Sequence, residues 1–474
     1  MALLVTAPVA HAAPIYGGPT YDSATGTGYR SSALSVPVAP GSTAGNGTAV
    51  GYADKYSGGT DLGTRAVRLD ASAAVATELG HLGTDSSGST DSYAYAVNPA
   101  GTAVGFATKY TGGTSRGDRA VRWDAGNTVA TELGNLGTSS SGYTISRAYA
   151  VNAAGTAVGY AQNLGDRAVR WDASGTAATE LGHLGTRDDG VTSSRAHAVN
   201  AAGTAVGYAD KYPGGTYSSL GYRAVRWDAS STLATELGNL GTRNNGTTHS
   251  VAYAVNAAGT TIGYAYKYSG DTSFGNRAVR WDASGTAATE LGNLGTTSGG
   301  YTLSLACAIN TAGTAVGYAD KYSGGTDRGE RAVRWGASGT LATELGNLGT
   351  SGGGITNSRA FAVNTDGTAV GYATKYSGGT NLGDRAVAWG ADGVAIDLNT
   401  LLPPADQLLW TLTQARGISD TNWVSGFGAY DPDGAGGQAA YTRAFLIQVP
   451  EPAGLSLLAL GGVTLFCRRR TRRA

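Results

Sequence analysis

The 474-residue chain balances 34 Lys+Arg against 34 Asp+Glu, so its formal net charge is zero. That balance excludes a strongly basic nucleic-acid binder and an acidic tail protein. Apolar residues make up 41% and Gly supplies 75 positions, which excludes wholesale disorder and implies a core of small side chains, since Phe numbers 6 and Met 1. Cys307 and Cys467 stand far apart, so neither a disulfide framework nor zinc spacing is available, and no cofactor or metal is expected.

At the N-terminus a short apolar stretch precedes Ala10-His11-Ala12, the pattern of a signal peptide over residues 1–12 with cleavage around Ala10, Ala12 and Ala13. Its basic leading segment is missing, which points to a start upstream of Met1.

Between residues 43 and 448 one unit recurs. The block Gly-Thr-Ala-Val-Gly-Tyr-Ala begins at Gly47, Gly155, Gly203, Gly313 and Gly367, with variants at Gly101 and Gly259 and a decayed copy at Asn422. The period is about 54 residues, which signals a propeller or solenoid. Each unit parses into four strands, for example 148–152, 156–161, 167–172 and 177–181. The first pair is joined by an Asn-x-x-Gly turn, whose residues tolerate positive φ. The expected fold is therefore all-β: a β-propeller of seven or eight four-stranded blades, eight preferred, followed by a C-terminal hydrophobic helix. The final unit lacks a fourth strand, and the segment 13–42, between Ile15 and Val38, is expected to supply it and close the ring.

The succession Ala-x-Ala-Val-Asn-x-x-Gly-x-x-Val-Gly-Tyr, Arg-Ala-Val-Arg-Trp, Glu-Leu-Gly-Asn-Leu-Gly resembles the HAF-family extracellular repeat. Copies here read Arg-Ala-Val where that family has His-Ala-Phe, and only Ala444-Phe445 keeps the aromatic residue. The resemblance implies an exported bacterial repeat protein and no particular activity.

Catalysis needs an asymmetric cluster, and near-identical repeats offer few. His81 and His183 occupy a position held by Asn135, Asn239, Asn293 and Asn347, His197 replaces a first-strand Tyr, and His249 falls in a loop. No second His stands at metal spacing. The Asp431-Pro432-Asp433-Gly434 stretch reads as an exposed turn. Trp123, Trp171, Trp227, Trp281, Trp335 and Trp389 recur on the third strand and are expected to pack between blades. The second Arg of that strand (Arg122, Arg170, Arg226, Arg280, Arg334) is expected to pair with the Glu of the next (Glu132, Glu180, Glu236, Glu290, Glu344).

All six lysines precede Tyr in one recurring loop: Lys55-Tyr56, Lys109-Tyr110, Lys211-Tyr212, Lys267-Tyr268, Lys321-Tyr322 and Lys375-Tyr376. On a propeller these loops would share a face, where Tyr could stack on sugars and Lys could bond hydroxyls or uronates. The competing reading is an ordinary loop copied by tandem duplication.

The chain ends in Val449-Pro450-Glu451-Pro452, an apolar run to Cys467, and Arg468-Arg469-Arg470-Thr471-Arg472-Arg473. The apolar run falls short of the roughly 20 residues that span a bilayer untilted, and the Arg cluster fits the cytoplasmic side. The tail 449–474 resembles the PEP-CTERM sorting signal of Gram-negative bacteria. That resemblance implies secretion machinery and an exosortase-type enzyme as partners, transient or retained inner-membrane anchoring by the C-terminal helix, and delivery to the cell surface or matrix. Three functions are then weighed. The leading one is a non-enzymatic surface scaffold or adhesion module. Next comes a carbohydrate-binding propeller, with exopolysaccharide or surface proteins as partners. Last is a glycan-active enzyme centred on the divergent segment 391–448.

Overall fold

The computed structural model describes residues 21–22, 27–33 and 47–450, apart from 74–75, 215–216, 435 and 438. The signal-peptide expectation, the apolar tail helix and the Arg cluster lie outside these residues. Among the described residues no helix is long and apolar enough to cross a membrane.

Eight antiparallel sheets follow one another along the chain as the blades of a β-propeller. Blade 3 is representative, with strands Ser146–Val151, Ala157–Gln162, Asp166–Trp171 and Ala178–Glu180. These lie within two residues of the expected boundaries. The first strands of neighbouring blades approach one another around the axis, so the first strand is innermost. Blade 8 keeps three strands, Trp410–Ile418, Trp423–Tyr430 and Tyr441–Gln448.

The N-terminal segment corrects one expectation. Thr27–Ala33 is a strand, but it pairs antiparallel with Thr48–Ser57 of blade 1 and does not complete blade 8. Pairing with the strand that follows it in sequence needs only a short connection. It also fills the innermost place that the blade 1 repeat lacks. From there it still lies beside Tyr441–Gln448 of blade 8, and the ring closes at this seam, where Ala444 and Leu446 of blade 8 pack with Ala49, Ala53, Val67 and Leu69 of blade 1.

A repeated seam joins the blades. Between blades 2 and 3, Ala96, Val104, Ala120 and Leu133 meet Ala148, Ala157, Ala161, Val169 and Trp171. Trp171 is the single large side chain of that set, as expected of an inter-blade residue. Its indole Nε1 donates to the carbonyl of Gly134, past the outermost strand of blade 2, at 2.9 Å. Trp123, Trp227, Trp281, Trp335 and Trp389 repeat the bond to Gly80, Gly182, Gly238, Gly292 and Gly346. The same glycines donate their N–H forward, Gly134 to Thr176 O at 2.6 Å. A Cβ on Gly134 would stand 2.8 Å from that oxygen, so the approach requires glycine. Nearer the axis, the Ser146 hydroxyl accepts the Ala120 N–H of blade 2 at 3.0 Å, a bond also repeated around the ring.

The arginines correct a second expectation. It is the first Arg, with the loop Lys, that meets the outer-strand Glu: Arg277 Nε at 3.1 Å and Lys267 Nζ at 2.7 Å from Glu290. The second Arg crosses the seam. Arg280 donates to the carbonyls of Gly336 at 2.7 Å and Ala337 at 2.8 Å in the following blade. The strand alternation explains the exchange, since the two arginines sit three positions apart and therefore on opposite faces.

Trp227→Phe keeps an aromatic ring in the seam but leaves the Gly182 carbonyl without its donor. The expected cost is about 1–3 kcal/mol of stability, read as a lowered urea midpoint with an unchanged slope.

Candidate functional site

The geometry that matters begins with a kink in each innermost strand. In blade 3, Ala148 pairs with Gly159 and Ala150 with Val158, leaving Tyr149 as an extra, unpaired residue. Such a bulge re-aims one side chain. It turns Ala148 toward blade 2 and Ala150 toward blade 4, as the two packed clusters record. The bulge also presses the Arg147 carbonyl to within 1.9 Å of where a Cβ on Gly159 would stand, which accounts for the Gly inside the Val-Gly-Tyr motif.

The bulged residue projects into the central channel. Around the ring it is Tyr95, Tyr149, His197, Tyr253, Cys307, Phe361 and, in blade 8, Arg416. The flanking alanines hardly change; the residue between them does. Five of the bulged side chains, Tyr149, His197, Tyr253, Cys307 and Phe361, line a cavity of about 390 Å³ together with Leu305, Tyr318 and Arg359. His197 stacks on Tyr253 with ring centroids 5.7 Å apart and touches Tyr149 edge-on at 6.2 Å.

Charges in this wall are mostly closed across seams. Arg147 meets Asp118 at 2.5 Å, Arg195 meets Asp166 at 2.5 Å, and Arg359 meets Glu330 at 2.7 Å. Each guanidinium also lies over an aromatic ring, Arg359 at 4.3 Å from the Tyr318 centroid. Burial pushes the Cys307 thiol up to about 12 and the Tyr318 phenol up to about 12, so both keep their protons at neutral pH. Burial holds His197 down to about 4; its ring bond to the Ala252 carbonyl opposes this and Arg195 adds to it. His197 is thus a neutral imidazole at pH 7. With its Nδ1 bonded to the Ala252 oxygen at 3.2 Å, that nitrogen carries the hydrogen and Nε2 is an acceptor.

One end of the channel is framed by asparagines from the Asn-x-x-Gly turns. Asn98 Nδ2 donates to Asn152 O at 3.0 Å, Asn152 to Asn200, and so on through Asn256 and Asn310 to Asn364. Each Oδ1 meanwhile accepts the N–H four residues on, as Asn152 does from Thr156 at 2.9 Å. A second cavity of about 410 Å³ lies against this belt. The sequence marks these asparagines only as turn residues; their bond to the next blade depends on the ring.

The Lys-Tyr pairs stand at the opposite end of the blades, in the hairpins between second and third strands. Most are not loops: the strand runs through them, as Ala315–Ser323 carries Lys321 and Tyr322 past a bulge. Every lysine ends on a carboxylate. Lys55 reaches Glu78 at 2.9 Å, Lys109 Glu132 at 2.7 Å, Lys211 Glu236 at 2.7 Å, Lys321 Glu344 at 2.6 Å and Lys375 Asp397 at 2.9 Å. The tyrosines are half-buried, and five of them, beginning with Tyr110, donate their backbone N–H to a Leu of the preceding blade.

His81 and His183 behave as the Asn they replace. Their Nδ1 atoms accept the N–H of Gly83 and Gly185 at 3.2 Å, as Asn135 accepts that of Gly137 at 2.9 Å. Asp431 accepts the Gly434 N–H at 3.1 Å, a turn bond. Among the described residues no three metal-ligating side chains come together. Of the tail motif only Val449 and Pro450 are described; Val449 is buried against blade 8 and its N–H reaches Asn422 O at 2.9 Å.

Residues 163–353 match the family described as "Protein of unknown function (DUF3466)". No curated protein matches the chain. Several solved structures resemble it. The β-propeller domain of the Trilobed protease from Pyrococcus furiosus is 9% identical over 75% of this chain and 93% of that one, with a TM-score of 0.37. A gluconolactonase from Xanthomonas campestris is 13% identical over 62% and 82%, with a TM-score of 0.27. TolB from Acinetobacter baumannii is 11% identical over 73% and 78%, with a TM-score of 0.30. None of these likenesses bears on activity.

The depressed His197 pKa makes stability depend on pH. The unfolded imidazole titrates near its ordinary 6.5, whereas the folded one resists its proton until about pH 4. Stability from this group is whole above pH 6.5 and is lost as pH falls through that window, by up to about 3 kcal/mol. His197→Tyr, which installs the residue of the two neighbouring blades, removes this term and leaves the other histidines in place. Melting curves of parent and variant at pH 7.5 and 4.5 should show the parent losing more.

Proposed function

We propose that the protein is an exported, non-catalytic binding propeller of a bacterial cell surface or matrix. Its ring is the rigid scaffold, and recognition takes place in the central channel. One observation carries this reading: while the seam residues recur, the bulged channel residue varies, being Tyr in three blades (Tyr95, Tyr149, Tyr253) and His197, Cys307, Phe361 and Arg416 in four others. Scaffolding side chains recur because every seam makes the same demands. A wall of distinct side chains around one cavity suits a single asymmetric ligand.

The groups facing that cavity favour binding over catalysis. Cys307 is held as a thiol, His197 accepts through one nitrogen, and Arg359 is neutralised by Glu330. A lectin-like role for the Lys-Tyr hairpins gains less support, because the ammonium groups are already engaged by Glu or Asp.

Export rests on the two ends of the chain. A signal peptide over residues 1–12 and a PEP-CTERM-like tail beginning at Val449 assign the protein to secretion machinery and an exosortase-type enzyme, with transient inner-membrane contact. Val449 leads directly out of the packed edge of blade 8, so such a tail starts where the folded ring stops.

Fractionation of the encoding bacterium checks this. An epitope-tagged parent chain is expected in the surface or extracellular fraction. A variant with Pro450, Glu451 and Pro452 all changed to Ala should shift to the membrane fraction by roughly tenfold or more. Recovery of the parent in the cytoplasm would end the proposal.

A further inference from the structure

The channel wall carries one charge without an answer. Three of its arginines, Arg147, Arg195 and Arg359, each hold a carboxylate from the preceding blade. The bulged residue of blade 8, Arg416, has no carboxylate within ion-pair distance among the described residues. Its one hydrogen-bond partner there is the Gln414 side-chain oxygen, which accepts from Nη2 at 2.5 Å. Its guanidinium lies 4.2 Å from the centroid of Phe361, which lines the cavity, and 5.5 Å from that of Phe427. The plane is thus held by rings, with its Nε buried and without a hydrogen-bond partner and Nη2 on Gln414, which leaves the outer edge of the two terminal nitrogens for a ligand.

The neighbourhood is short of negative charge. Arg359 stands near enough to disfavour the Arg416 cation, and both arginines stand near enough to Cys307 to favour its thiolate, which burial nevertheless suppresses. Burial also lowers the Arg416 pKa, the response of a desolvated charge without a counter-ion. A guanidinium so placed fits one carboxylate through two parallel N–H bonds.

The cavity that Arg416 adjoins through Phe361 narrows the choice. Tyr149, Tyr253 and Phe361 offer ring faces, while the Tyr hydroxyls and His197 Nε2 offer scattered donors and an acceptor. Aromatic faces with many weak polar groups suit a sugar ring, whose own faces are apolar and whose rim is hydroxylated. At about 390 Å³ the space falls within the usual ligand-pocket range of roughly 300–1,000 Å³.

We infer that the channel binds a uronic-acid sugar, its carboxylate on Arg416 and its ring against Phe361 and the neighbouring tyrosines. This rests on the channel being the recognition site, as proposed above. Arg416 selects for the acid, and Phe361 supports any sugar that enters.

Titration calorimetry on the full chain tests it, using digalacturonate, its neutral methyl diester, and inorganic phosphate as competitor. The acid should bind at least ten times more tightly than the diester. Arg416→Gln should erase that preference, Arg416→Lys should keep part of it, and Phe361→Ala should weaken acid and ester alike. Parent-like melting of the variants shows that they fold, and Arg416→Lys serves if Arg416→Gln does not. A preference that persists in Arg416→Gln overturns the assignment, as does displacement by an equal concentration of phosphate. Equal binding of acid and ester, lost in Phe361→Ala, overturns the uronate and leaves the channel standing. Binding indifferent to both positions, or none at all, removes the channel reading too.

Discussion

The ring depends on one repeated contact, the Trp of blades 2 to 7 hydrogen-bonded to a glycine carbonyl of the blade before it. The indole stands in the outer half of the seam, on the third strand, while the innermost strands meet through alanines such as Ala96 and Ala148. A seam that is thick outside and thin inside is a wedge. Repeating the same wedge rotates each sheet by the same step, and this chain closes after eight. The glycine has to lack a side chain for the indole and the next turn to reach its carbonyl and N–H together. Alanine elsewhere keeps the sheets close enough for main-chain groups to bond across the seam, which is why a chain so poor in Phe and Met still has a dense core.

The divergent end of the chain solves the closure problem that the repeats leave. Blades 1 and 8 have Leu69 and Ile447 where the six between them have Trp, and among the described residues blade 8 has no outer strand to offer a glycine. Leu446 and Ala444 cross that gap instead, and the Trp423 ring covers Gly47. Against blade 7, blade 8 presents Leu402, Trp410, Leu412, Phe445 and Ile447, a far larger apolar set than any repeated seam contains. The asymmetry of segment 391–448 is therefore accounted for by joining unlike blades, and it needs no catalytic explanation.

The period, the strand limits and the inter-blade role of Trp were legible because each is local: turn residues and alternating strands show within one repeat. The pairing of the arginines was not. On a flat strand Arg280 and Glu290 look like neighbours, but three positions reverse the face, and the carbonyls that Arg280 meets lie in another blade. The first strand of blade 1 was misplaced for a related reason, since the count of missing strands does not say which sheet an unrepeated segment joins. The channel site lay hidden in the Ala-x-Ala motif. Two alanines spaced by one residue imply a shared face, and only the bulge, foreshadowed by the Gly of Val-Gly-Tyr, reveals that they face opposite blades and that the residue between them is free to vary.

That freedom separates copying from use. Five of the six Lys-Tyr pairs recur where the lysine completes a Glu already held by the first Arg, so substitution there would strand a half-buried carboxylate. Duplication preserved them for the fold's sake. A bulged side chain carries no such fixed obligation; it completes no strand pair, and what it touches in the next blade, as His197 touches the Ala252 carbonyl and the Tyr253 ring, is not repeated around the ring. Tyr, His, Cys and Phe have all been accepted there between the same two alanines, and Arg416 between Ala415 and Gly417. A propeller built this way keeps its mechanical identity in the seams and its chemical identity on the axis, where one residue per blade can be changed at little cost to the ring.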